Sequence, residues 1–107
     1  MQEYEEKRSF LKQYRFLLSK IRRLKEMLNI SPENSEKYLK GIEEARKKRD
    51  EIEEKIDKVD GNILSEILSE KYICGKSLEE IAYSLCYSKR QVERLHLKAL
   101  GQLKCFT

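Results

Sequence analysis

Apolar residues in the first half of the chain recur at alternating spacings of four and three, the pattern of a helix that packs along a seam. Two such series are separated by the segment 29–35, where Pro32 cannot stand inside a helix but suits the first turn of a new one. Ser31 or Ser35 is the expected cap of that second helix. The seam positions are Phe10, Tyr14, Leu17, Ile21, Leu24 and Leu28, then Tyr38, Ile42, Ala45, Arg49, Ile52, Ile56 and Val59.

Two helices of similar length joined by a short loop predict an antiparallel helical hairpin, or coiled coil. Arg49 is the one polar member of the second seam, and we expect it to set the register. Gly61 ends this series, because Asp60-Gly61-Asn62 is a turn-forming sequence. We therefore predict a hairpin at 1–60 and a second unit at 61–107.

The second unit begins with a broad apolar face that predicts a helix at about 62–73, ended by Gly75. Ser77 to Glu80 and Ser88 to Gln91 each have the pattern of a capping box, which marks the start of a helix. A short helix, a tight turn and a longer helix in this order predict a helix-turn-helix. The expected inward residues are Leu78, Ile81, Ala82 and Leu85, then Val92, Leu95, Ala99, Leu100 and Leu103. The predicted fold is all-α: a long antiparallel hairpin followed by a three-helix domain.

Charge concentrates on the last of these helices. The chain as a whole carries only +4, but residues 88–104 hold five basic side chains and one acid. A recognition helix presents its outer face to the major groove, where Arg and Lys reach the N7 and O6 acceptors of guanine. We expect Lys89, Arg90 and Arg94 to read bases, and Ser88 and Lys98 to contact phosphates.

Nothing in the sequence predicts catalysis. We find no nucleophile–base pair, phosphate loop or metal cluster, and we expect a protein that is not an enzyme and binds no cofactor or metal. Three cysteines without a CxxC pair favour a reducing, cytoplasmic location, and no segment has the length of a membrane span. We expect His96 to be packed or partly exposed, Cys74 and Cys86 to be small apolar fillers, and Tyr72, Tyr83 and Tyr87 to pack in the core or at its rim.

The stretch ILSEKYICGKSLEEIAYSLCYSKRQVERLHLKALGQL resembles region 4 of bacterial sigma factors, over about 40 residues. The likeness rests on Tyr72-Ile73, the run Ser77 to Ala82, Ser88, Val92 and the run Lys98 to Leu100. With helical heptads in front, the chain is similar to ArpU-type regulators of phage late transcription. By position, the resemblance places base reading on Lys89, Arg90 and Arg94, and phosphate contacts on Ser88, Glu93 and Lys98, although Glu93 should repel phosphate.

We therefore predict a phage-type transcription regulator whose partner is double-stranded DNA. A homodimer through the N-terminal helices is expected, and RNA polymerase is a further candidate partner. Two alternatives stay open: a small terminase-like DNA-packaging protein, and a sigma-like module that binds RNA polymerase without DNA.

Overall fold

A computed structural model describes the backbone of residues 2–104 and the side chains from Tyr4 to Lys104. The described chain is helical and contains no strand, which confirms the prediction of an all-helical protein. The elements are α1 (Gln2–Ile30), a 3₁₀ turn (Pro32–Asn34), α2 (Ser35–Asp57), α3 (Asn62–Leu68) with a π-helical turn (Ser69–Ile73), α4 (Leu78–Leu85) and α5 (Lys89–Gln102).

Helices α1 and α2 pack along each other in opposite directions. The Tyr14 hydroxyl donates to Glu53, and the space beside Gly41 is closed by Leu24, so residue numbers rise on one helix as they fall on the other. Burial of Tyr14 and the bond to Glu53 raise the pKa of the tyrosine to about 12. Most seam positions are buried or packed against the core, but Leu11 rather than Phe10 is fully buried near the start of α1.

The predicted cap of α2 is wrong. Neither Ser31 nor Ser35 caps α2; Asn34 precedes the helix, and its side chain makes no capping bond. The role of Arg49 in setting the register stays a prediction. Its guanidinium binds the neighbouring Asp50 on the same helix, through Nε at 3.2 Å and Nη2 at 3.1 Å, and stays partly exposed.

Gly61 separates α2 from α3 with a φ of 105°, a backbone angle that favours glycine. The larger hydrophobic core extends across this turn, because it contains residues of α1 and α2 together with residues of α3, the π-helical turn and α5. A smaller cluster under the two C-terminal helices consists of Ile67, Ile81, Ala82 and Val92. The division at residue 60 stays a prediction about domains.

Side chains of α1 also bind backbone carbonyl groups of the C-terminal segment. Arg15 Nη1 donates to the carbonyl of Ile73 at 3.0 Å, and its guanidinium lies against Gly75, whose φ is 77°. The buried ammonium of Lys7 lies 3.4 Å from the carbonyl of Gly101, near the negative end of α5. Helix α1 therefore contacts the π-helical turn, the turn at Gly75 and α5 as well as α2.

Candidate nucleic-acid interface

Helices α4 and α5 both begin with the predicted capping boxes. Ser77 Oγ accepts from the amide of Glu80 at 3.1 Å, and the Glu80 carboxylate accepts from the Ser77 amide at 3.0 Å. Ser88 and Gln91 make the same reciprocal bonds at 3.1 Å and 3.0 Å. The hydrogen bonds from Ser77 lower the pKa of Glu80. Each of these helix starts is therefore set by two side chains that lie three positions apart in the sequence.

The turn between the two helices has a residue in the left-handed region. Cys86 has φ 59° and ψ 37°, and its amide donates to the carbonyl of Tyr83 at 3.3 Å. The amide of Tyr87 donates to the carbonyl of Ala82 at 2.9 Å, which completes a Schellman motif. Cys86 and Cys74 are exposed, so the prediction that they fill apolar space is wrong.

The expected recognition face of α5 points away from the core. Val92, His96, Ala99 and Leu100 are buried, whereas Arg90, Arg94 and Lys98 are exposed on the other side. A shallow hollow on that side is lined by Ser88, Arg90, Gln91, Glu93, Arg94 and Leu97. The structure therefore brings together three of the five predicted site residues, with Lys98 one turn beyond Arg94.

Lys89 is engaged elsewhere. Its ammonium binds the carboxylate of Glu79 on α4 at 3.0 Å, and this bond raises the pKa of the lysine. Both side chains are mostly exposed, so the pair is weak and exchangeable. No pattern in the sequence pointed to Glu79, since the contact joins two helices across the turn.

Ser88 has a capping role that restricts its use as a phosphate ligand. Its hydroxyl oxygen accepts from Gln91, and the same hydroxyl lies 3.4 Å from the Gln91 side-chain oxygen. Glu93 lies in the same hollow as Arg90 and Arg94 and lowers its positive charge. The two arginines are thus the strongest cationic features of the hollow.

A buried polar pair lies behind this face. His96 is only 4% exposed, and its Nε2 is 2.8 Å from the hydroxyl of Tyr72, with the two rings stacked at 5.7 Å between centroids. Burial, with the charges of Lys71 and Arg8, lowers the pKa of His96 to about 4. Burial raises the pKa of Tyr72 to about 12. The expected packing of His96 is confirmed.

The three tyrosines near the interface differ. Tyr72 is buried and Tyr87 packs against the smaller cluster, as expected. Tyr83 is 88% exposed on α4, so the prediction that it packs in the core or at its rim is wrong.

Within the part of the chain that the structure describes, no three His, Cys, Asp or Glu side chains are grouped to hold a metal ion. No helix among residues 2–104 is both long and apolar enough to cross a bilayer. Comparison of the chain with protein-family models, with curated proteins and with solved structures found no match.

Proposed function

We propose that the protein binds double-stranded DNA sequence-specifically as a phage-type transcription regulator, and that α5 is its recognition helix. In this proposal the chain is a helical hairpin followed by a three-helix, sigma-region-4-like helix-turn-helix. The observation that carries the proposal is the exposure of Arg90 and Arg94 on a helix whose start is set by its own capping box and whose buried face packs against α4 and the larger core. A rigidly supported outer face with two arginines is what major-groove reading requires.

The exposed basic residues of α5 and Leu97 each have a role in this proposal. Arg90 and Arg94 are one helical turn apart, and each guanidinium can donate two bonds to guanine O6 and N7. Leu97, partly exposed in the same hollow, offers an apolar contact to a thymine methyl group. Lys98 reaches a backbone phosphate, and Lys89 joins the interface when DNA displaces Glu79.

The test is selection of duplexes from a random library, followed by binding measurements. The wild-type protein should enrich one motif. A variant with Arg90→Lys and Arg94→Lys keeps the charge but loses the two-pronged donor geometry, so it should lose the motif and retain binding to random DNA. A matched variant on α2, Arg46→Lys with Arg49→Lys, should select the wild-type motif. Failure of the wild type to enrich any motif, or the same motif from the α5 variant, would contradict the proposal.

The proposal includes self-association through α1 and α2, and contact with RNA polymerase. These helices bury their shared seam but leave Phe16, Ile30 and Leu39 mostly exposed. Sedimentation should show a dimer that Leu39→Glu weakens. A ring of many subunits would favour the packaging alternative, and polymerase binding without DNA affinity would favour the interaction module.

A further inference from the structure

The strongest concentration of positive charge lies on α1 rather than on α5. Residues 7–25 contain eight Lys or Arg side chains and no acid. Residues 33–60 contain eight basic and ten acidic side chains, so the near balance of the first sixty residues conceals this cationic stretch. Such a run on one ordered helix creates a strong local potential for an anionic partner.

The helical period places these cations together on one side of α1, away from α2. Arg8, Lys12, Arg15 and Arg22 are separated by four, three and seven residues, and Arg23 adjoins them. The opposite side of the helix carries the buried seam against α2. Lys12, Arg22 and Arg23 are exposed, and among residues 4–104 no acidic side chain forms an ion pair with them.

This side of α1 continues onto the C-terminal helices. Arg15 bonds the carbonyl of Ile73 at 3.0 Å, which brings the π-helical turn against α1. Lys71 of that turn lies with its ammonium 5.7 Å from the centroid of the Tyr72 ring. Burial, then the charges of Lys12 and Arg8, lower the pKa of Lys71, as expected where cations crowd without a counter-ion.

We propose that this cationic face, defined as Arg8, Lys12, Arg22, Arg23 and Lys71, binds the phosphate backbone of duplex DNA independently of base sequence. Arg8 to Arg23 spans about 22 Å along the helix, a length that meets several phosphates of one duplex. The inference rests on the proposed function only for its choice of duplex DNA as the source of phosphate. It adds a second contact surface, on a different helix, to the one formed by α5.

The geometry favours nucleic acid over a membrane surface. A helix that lies on a bilayer must insert a broad apolar side among the lipids, whereas the apolar seam of α1 is buried against α2 and only the isolated side chains of Phe16 and Ile30 are largely exposed. The cationic face holds arginines and lysines with no acid among them, which suits a uniformly charged polymer.

The test uses the full chain and a short duplex of random sequence, with the affinity measured between about 50 and 200 mM salt. The variant Lys12→Ala, Arg22→Ala, Arg23→Ala removes three exposed charges. We expect the slope of log affinity against log salt to fall by about 2 to 3, and the affinity at about 100 mM salt to fall at least tenfold. The matched control is Arg46→Ala, Lys47→Ala, Lys48→Ala, which removes three exposed charges from α2 and should leave the slope near that of the wild type.

Equal slopes for the α1 and α2 triple variants would overturn the inference. It would also be overturned if the α1 triple variant lost binding to phosphatidylserine vesicles while its salt slope for DNA stayed that of the wild type. Circular dichroism and the midpoint of urea unfolding must match the wild type, which separates lost contacts from lost folding. The α5 variant with Arg90→Lys and Arg94→Lys distinguishes the two proposals. A change of slope from the α1 triple variant, without any motif selected by the wild type, would support the α1 surface and contradict the proposed α5 function.

Discussion

The hydroxyl of Tyr72 lies 2.8 Å from Nε2 of His96 and joins the π-helical turn to the buried side of α5. The bond satisfies two polar groups in the core directly behind the exposed arginines. It therefore fixes how far α5 is rotated about its own axis, and with it the direction of Arg90 and Arg94.

Tyr72→Phe leaves the imidazole without this partner in a buried site. We expect a loss of about 1–3 kcal/mol in the free energy of unfolding, measured by urea titration. Tyr83→Phe is the control, because that hydroxyl is exposed and its removal should change little. Equal effects from the two substitutions would show that the buried bond contributes nothing.

Stability should fall as the pH drops from 6.5 toward 4. The unfolded chain protonates His96 around its ordinary pKa of 6.5, whereas the folded ring stays neutral to about 4, so the unfolded state binds more protons in this window. The loss is at most about 1.4 kcal/mol per pH unit. His96 is the one histidine of the chain, so His96→Phe should flatten the curve between pH 6.5 and 5. An unchanged slope in that variant would assign the effect to other groups.

Cys86→Gly should stabilise the protein. The left-handed conformation at Cys86 costs a residue with a Cβ roughly 1–2 kcal/mol, part of which is offset by the greater freedom of glycine in the unfolded chain. We expect a net gain of up to about 1 kcal/mol, seen as a higher melting temperature. Cys86→Ala keeps the backbone strain and is the control; a gain of the same size from alanine would point to the thiol instead.

Gly75→Ala should destabilise the contact between α1 and the turn before α4. The glycine has φ 77°, and an added Cβ would lie 2.9 Å from the Arg15 guanidinium carbon. We expect a cost of about 1–2 kcal/mol from the backbone conformation alone. Arg15→Ala should cost less in the Gly75→Ala background than in the wild type, because the guanidinium is already displaced. Strict additivity in this double-mutant cycle would rule out the coupling.

Glu79→Gln should strengthen DNA binding. The substitution removes the carboxylate that holds Lys89, so the ammonium becomes available to the duplex without first breaking an ion pair. Anisotropy titrations should show a lower Kd and little change in stability, since the pair is exposed. Glu44→Gln removes one negative charge from α2, at a site away from α5, and should leave the Kd nearly unchanged. An equal gain in affinity from this variant would show that the effect comes from net charge alone.

Local sequence patterns were sufficient for the parts of the fold that depend on neighbouring residues. The capping boxes at Ser77 and Ser88 and the buried positions of α5 follow from spacings of three and four residues, and the structure has them as predicted. The exposed arginines follow from the same period. These features need no knowledge of the rest of the chain.

Local sequence patterns did not predict the contacts between segments that are distant in the sequence. The bond from Arg15 to Ile73 spans 58 positions, and neither side chain type nor spacing indicates it. The pairing of Lys89 with Glu79 and the left-handed backbone of Cys86 were missed for related reasons. The first depends on how α4 and α5 cross, and the second places a residue with a Cβ where glycine is usual.

The larger core draws on both α1 and α5, and Lys7 meets Gly101 across 94 positions of sequence. During synthesis, α1 and α2 can pair as soon as both have left the ribosome, but the core they share with α5 stays open until that helix follows. The nascent chain therefore passes through an interval with apolar surface uncovered. A chaperone that captures such surfaces would meet this protein before α5 has emerged.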